Sequence, residues 1–234
     1  MYQLFIANKN YSSWSLRPWI LMRQLQIPFE EKIFSFGSCS FRDFSPSGHV
    51  PCLHDGDTVV WDSLAIVEYL AERHDGVWSE DKKVRAWERS VTAEMHSGFN
   101  ALRQHCSMNC GIRVRLTESP DALQRDIARI DELWTEGLER FGGPFLSGNR
   151  FHAADAFFAP VAFRVSTYGL TLGAAAAGYA RQLLALPAMQ SWYEAALREP
   201  WRDPAHEAEI LQFGTILEDK RQPGTAVDSV NPLR

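Results

Sequence analysis

Asn10-Tyr11-Ser12-Ser13-Trp14-Ser15-Leu16-Arg17-Pro18-Trp19 is a hydroxyl-rich turn between two apolar patterns. Upstream, Gln3 to Ala7 (Gln-Leu-Phe-Ile-Ala) reads as a short buried strand. Downstream, Leu16, Trp19, Ile20, Arg23 and Gln24 open a 3.6-residue period, with Pro18 in the first helical turn, where its missing N–H costs little. Ser12 and Ser13 therefore stand at a helix N-terminus. The free backbone N–H groups and the positive end of the helix dipole favour an anion there. Two roles are open to the serines at this stage. One is plain N-capping; the other is holding a thiolate or carboxylate of a ligand.

Outward from this turn, strands and helices alternate as far as residue 77. Phe29 to Phe36 reads as a second strand, parallel to the first if a helix crosses between them. Pro51 to His54 and Thr58 to Trp61 flank Asp55-Gly56-Asp57, a strong hairpin signal. A helix then starts at Asp62 or Ser63 and runs to about His74. Beyond Glu80 the pattern is helical throughout: 82–102, 121–141, 154–168 and 188–197 carry apolar residues at helical spacing, such as Ile127, Ile130, Leu133, Trp134 and Leu138. The expected architecture is α/β plus all-α. It divides into residues 1–77, a linker near 78–81, a helical unit 82–212, and a polar, loosely held tail 213–234.

Composition narrows the function. The chain has 234 residues, 45% of them hydrophobic, and can bury a full core. A net charge of −5 gives no general attraction for nucleic acid or an anionic membrane, so neither is expected as a partner. The longest apolar run, Leu170 to Leu186, is broken by Gly173, Gly178 and Arg181, too short and polar for a membrane span. The opening Met1-Tyr2-Gln3 lacks a basic n-region and apolar core, so cytoplasmic residence is expected. The four cysteines form no Cys-x-x-Cys pair, which argues against a dithiol redox centre. Cys106 and Cys110, i and i+4 on an expected helix face beside His96 and His105, raise a metal site; structural zinc usually needs paired Cys-x-x-Cys motifs, so no metal is expected.

Two further dipeptides carry chemistry. Val50-Pro51 follows the turn Pro46-Ser47-Gly48-His49 and opens a strand, where a cis bond would present the Val50 backbone to an extended, peptide-like ligand. A turn proline without that role is the alternative. Asp62-Ser63 heads a helix, where the hydroxyl and N–H groups suit a carboxylate and the Asp62 carboxylate suits an ammonium; both residues are also common N-caps.

In this order the motifs resemble the glutathione transferase superfamily, from residue 2 to about 200. Ser12-Ser13-Trp14-Ser15-Leu16-Arg17 is similar to the Ser-Ser-Cys-Ser-x-Arg signature of the zeta class, which includes maleylacetoacetate isomerases. Asp62-Ser63-Leu64-Ala65-Ile66-Val67-Glu68-Tyr69-Leu70 matches (Glu/Asp)-Ser-x-Ala-Ile-x-x-Tyr-Leu, and Phe151-His152-Ala153-Ala154-Asp155 resembles the folding motif Phe-Ser-x-Ala-Asp. The resemblance implies a thioredoxin-like domain followed by a helical bundle, glutathione as co-substrate, a small electrophilic, apolar substrate and a homodimer. It implies a catalytic serine at Ser12, whose hydroxyl stabilises the thiolate. Val50 would pair with the cysteinyl backbone, Asp62 and Ser63 would hold the γ-glutamyl end, His49 would face the glycyl carboxylate, and Ser13 would line the site. Arg17 would add positive potential near the thiolate. The electrophile would lie between Trp14 and the segment carrying Met95, His96, Phe99, Leu102, His105, Cys106 and Met108. A glutathione-dependent cis-trans isomerase and a non-catalytic glutathione-binding or protein-docking module are the alternatives. Two departures stand out: Trp14 replaces the zeta-class cysteine, and His152 replaces the usual Ser or Thr, so the cap it makes must differ or weaken.

Overall fold

The computed structural model describes residues 1–223 and the backbone of residues 225 and 226. Strand β1 (Tyr2–Ala7) leads through the hydroxyl-rich turn into helix α1 (Ser13–Gln24), and β2 (Phe29–Phe34) returns parallel to β1, with Tyr2 opposite Phe29 and Ala7 opposite Phe34. The hairpin β3 (Cys52–Asp55) and β4 (Thr58–Trp61) then adds antiparallel to β1, giving the order β2-β1-β3-β4. Helix α2 (Ser63–Ala71) follows directly. This mixed sheet with its crossover helix is the thioredoxin-like arrangement that the motifs imply. Leu4, Ile6, Leu16, Ile20, Leu53, Ile66 and Leu70 are buried in its core, as the two periodicities require.

The remainder is largely helical: α3 (Lys82–Ser97), α4 (Asn100–His105), α5 (Asp121–Phe141), α6 (Ala153–Tyr168), α7 (Ala174–Ala185), α8 (Pro187–Arg198) and α9 (Pro204–Phe213). The single helix expected over 82–102 is broken at Gly98-Phe99. A Cβ on Gly98 would meet the Glu94 carbonyl at 2.8 Å, and Phe99 takes a left-handed φ of 58°, so the chain turns before α4 begins.

Strands do not vanish after residue 80. β5 (Ile112–Leu116) pairs antiparallel with β7 (Gly214–Asp219), and β6 (Trp201–Arg202) pairs with β8 (Thr225–Ala226). The segment after Phe213 is therefore held as a strand through Asp219 rather than as a loose tail. Its polar composition reflects an exposed two-stranded ribbon, whose side chains alternate between Val114 on the core and water. Residues 224 and 227–234 of the expected tail lie outside the described residues.

His152 does not weaken the α6 start through lost backbone pairing. Its N–H donates to the Asp155 carboxylate at 2.9 Å, a bond that does not depend on the side chain at 152, while the Leu146 N–H (3.0 Å) and Tyr179 hydroxyl (2.6 Å) donate to the other carboxylate oxygen. The imidazole Nδ1 lies 3.3 Å from the buried Glu88 carboxylate instead. Cys106 ends α4 and Cys110 lies in the following loop, so the two do not share a helix face. Burial pushes the Cys106 thiol up to about 12 and Cys110 higher still, and among the described residues no three His, Cys, Asp or Glu side chains are grouped to hold a metal.

Candidate active site

The turn after β1 is pinned from three sides. The buried Glu199 carboxylate, just past α8, accepts the N–H groups of Lys9 and Asn10, the Trp192 indole donates to the Lys9 carbonyl at 2.9 Å, and the Cys110 N–H donates to the Asn10 carbonyl at 3.3 Å. Burial pushes the Glu199 carboxyl up to about 7, against the backbone N–H donors that favour its ionised form.

Held this way, the turn presents its serines differently from one another. Ser12 occupies the N-cap position but caps nothing: its hydroxyl donates to Ser15 Oγ at 2.6 Å, and no side chain caps the first N–H groups of α1. The capping reading of Ser12 thus fails. The Ser13 hydroxyl makes no hydrogen bond among the described residues. Both serines line a cleft of about 550 Å³, with Trp14, His49 and Val50.

Trp14, His49 and Val50 are shared with a second cleft of about 400 Å³, which reaches Pro51, Trp61, Asp62 and Ser63. The structure thus brings all six predicted site residues around one indole ring. The Val50–Pro51 bond is cis, and Val50, just outside β3, makes no backbone hydrogen bond among the described residues. Asp62 caps α2 through the Leu64 N–H at 2.8 Å while holding a left-handed φ of 74°, a strained conformation for a residue with a Cβ. Ser63 is buried, and its Oγ receives Arg17 Nη1 at 3.4 Å.

Arg17 is fully buried, with its guanidinium carbon 4.0 Å from the Trp14 ring centroid and 4.7 Å from that of Phe157 in α6. Burial first, then Arg103 and Arg164, lower its pKa. The Arg103 guanidinium also lies over Trp14, at 4.7 Å. Arg103 and Arg164 line the cleft beside Ser107 and Met108, and His206 and Glu209 of α9 close its far wall. Of the segment expected to meet the second substrate, Met108 reaches the cleft. Met95, Phe99, Leu102 and Cys106 are core, His96 packs edge-on to Trp14, and His105 packs on Phe213. A larger cavity of about 1040 Å³, lined by Trp78, Asp81, Phe145 and His152, contains none of the six site residues.

Two family models match the chain: the glutathione S-transferase N-terminal domain over residues 11–73 and the C-terminal domain over 85–195. The chain belongs to the glutathione S-transferase family. This transferase chain is 25% identical over 205 residues to glutathione S-transferase GstB of Escherichia coli K12, covering 77% of this chain and 86% of that protein. Over 61 residues it is 39% identical to dichloromethane dehalogenase of Methylorubrum extorquens, a match spanning 24% of this chain and 21% of the dehalogenase. Its fold is shared with maleylacetoacetate isomerase of Methylobacterium extorquens AM1, crystallised with malonate and glutathione, at a TM-score of 0.62 and 22% identity over 85% of this chain and 98% of the other.

Within the transferase, Arg103, Arg164, His206 and Glu209 carry no motif. They escape sequence reasoning because α4, α6 and α9 reach the turn only through tertiary packing; the one local signal is Arg164, an arginine in the largely apolar sequence of α6.

Proposed function

We propose that this transferase binds glutathione along the two joined clefts and activates its thiol at the Ser12-Ser13 turn for attack on a small electrophile. The supporting observation is the convergence on Trp14: hydroxyls at one end, an unpaired Val50 backbone in the middle, and the strained Asp62 carboxylate with Ser63 at the other. That spacing of groups suits a thiol, an extended peptide backbone and an amino-acid head group in order. A free thiol, with a pKa of about 8.5, is mostly protonated at neutral pH, and an O–H donor with a nearby positive field favours the thiolate. In conjugation the thiol proton leaves to solvent, a C–S bond forms, and the leaving group departs with its electron pair.

Ser12 is the donor implied by the family pattern. The Ser12 to Ser15 hydrogen bond favours a second reading, in which the uncommitted Ser13 hydroxyl makes the contact and Ser12 orients the turn. Ultraviolet difference spectra of bound glutathione across pH decide between them. Thiolate formation below the solution pKa is expected in the wild type and lost in the alanine variant of the true donor. An unchanged melting temperature in millimolar glutathione overturns the glutathione reading itself. The reading includes a two-fold dimer, which a monomeric mass at micromolar concentration would contradict.

A further inference from the structure

We propose that the second-substrate end of the cleft is built for an electrophile that carries a carboxylate, held by Arg103 of α4 and Arg164 of α6; this rests on the reading of the adjoining clefts as the glutathione site. The guanidinium groups of Arg17 and Arg103 lie over Trp14, Arg164 lines the same cleft, and Arg103 and Arg164 are close enough to depress the affinity of Arg17 for its proton. Among the described residues none of the three lies within salt-bridge distance of a carboxylate, whereas the buried side chains of Lys9 and Arg221 are paired. Asp62 and Asp126 offset the charge of Arg17 and Arg103 only from beyond ion-pair distance, and buried charges without a direct partner are costly, so the cluster favours a further anion in the cleft.

Internal bonding accounts for only part of the two side chains. Arg103 closes the break between α3 and α4, donating from Nε to the Gly98 carbonyl at 3.0 Å and from Nη2 to the Met95 carbonyl. Arg164 donates from Nε to the Cys106 carbonyl at 2.8 Å and is only 4% exposed, yet its Nη1 is buried with no partner among the described residues. Both side chains line the cleft that holds Ser12 and Ser13. The Arg164 guanidinium, fixed at Nε, leaves its Nη groups in the fork geometry that carboxylates fit, and Arg103 adds its remaining Nη1. Among the described residues the acidic one lining this cleft is Glu209, which is exposed and therefore screened by water. The flat indole of Trp14 supplies the apolar floor for the rest of the molecule. The expectation of a purely apolar electrophile is thereby narrowed to one with an apolar body and an anionic end.

The test compares 3-nitrobenzoate with 3-nitrobenzamide, matched in shape and different in charge, titrated calorimetrically into the full chain with and without glutathione. The benzoate is expected to bind at least tenfold tighter at low salt, with the advantage shrinking as salt rises. Arg103→Gln and Arg164→Gln should each bring the ratio to within threefold of one, and Arg164→Lys should keep part of it. Because Arg164 also ties the loop after α4, Arg103→Gln and the salt series decide the matter if Arg164→Gln fails to fold. Equal affinities in the wild type, or an advantage that survives both Gln variants, overturn the proposal. A benzoate preference without any glutathione binding supports the anion site and overturns the glutathione reading; glutathione binding without the preference does the reverse.

Discussion

The guanidinium carbon of Arg17 sits 4.0 Å from the centroid of the Trp14 indole, so the residue standing where zeta-class relatives carry cysteine covers a fully buried cation. Trp14 is thereby both the wall shared by the two clefts and a structural partner of the charge cluster beneath it. Its replacement of a thiol exchanges a reactive group for a π face.

Substitution at Trp14 should therefore cost stability in proportion to the lost π surface. Trp14→Leu is expected to destabilise the fold by about 1–2 kcal/mol more than Trp14→Phe, the scale of a desolvated cation–π contact. Urea unfolding of both variants measures the difference; equal midpoints would show that the stacking contributes nothing.

Asp62 separates a cap from a charge. Asp62→Asn keeps the N-cap and tolerates the positive φ, so stability should change by less than about 0.5 kcal/mol. Loss of the charge-assisted bond should weaken glutathione binding roughly tenfold or more, given about 1.5–3 kcal/mol for a hydrogen bond to a charged group. Calorimetry on the two proteins reads the change directly.

Arg221 ties the C-terminal segment to the active-site turn. Its side chain pairs with Glu207 and Asp219, and the Tyr11 hydroxyl donates to the same Glu207 carboxylate at 2.6 Å. Arg221→Gln leaves Glu207 without its cation and should lower stability by about 2–3 kcal/mol. It should also loosen α9, seen as faster amide exchange in 204–213 than in α6. Exchange unchanged in α9 would show that the ribbon of β5 and β7 holds it without Arg221.

Glu199 gives a pH dependence of known sign. Burial raises its folded pKa to about 7 from an ordinary 4.5, so the folded state holds the proton more tightly than the unfolded one. The stabilisation this brings is complete below about pH 4.5 and is lost as pH rises to about 7. Asp155, raised by burial to about 6, acts in the same direction, while His96 and His152, lowered by burial, act in the opposite one. Comparison of the wild type with Glu199→Gln isolates the first contribution. The variant should gain on the wild type by up to about 3 kcal/mol between pH 4.5 and 7.5, and a flat difference would show that the carboxylate is fully compensated by the Lys9 and Asn10 N–H groups.

The β1-α1-β2 crossover, the Asp55-Gly56 hairpin and the Asp62 cap were legible because each is encoded within a few residues: a strand alternation, a turn dipeptide, a side chain that reaches its own helix N-terminus. The same locality made Val50-Pro51 and Asp62-Ser63 visible as candidate site residues. The strand β5 was not legible. Ile112-Arg113-Val114-Arg115-Leu116 is short, lies between two helices, and becomes a strand only because residues 214–219, about a hundred positions later, offer it a partner. Which of the two roles open to the serines Ser12 takes is not local either. Whether its hydroxyl turns to the helix N–H groups or to Ser15 depends on how Glu199, Trp192 and Cys110 hold the preceding residues.

Local chemistry thus settled the thioredoxin-like half and the family to which the chain belongs, and marked the candidate row of groups from Ser12 to Ser63, since turn types, caps and periodicities are properties of neighbouring residues. Long-range packing settled what that row faces. The arginines of α4 and α6 and the wall from α9 meet the turn only when the helical half folds onto α1, and burial then converts ordinary arginines into unpaired charges. No local pattern records that event, because the cost and the attraction both arise from removing those side chains from water.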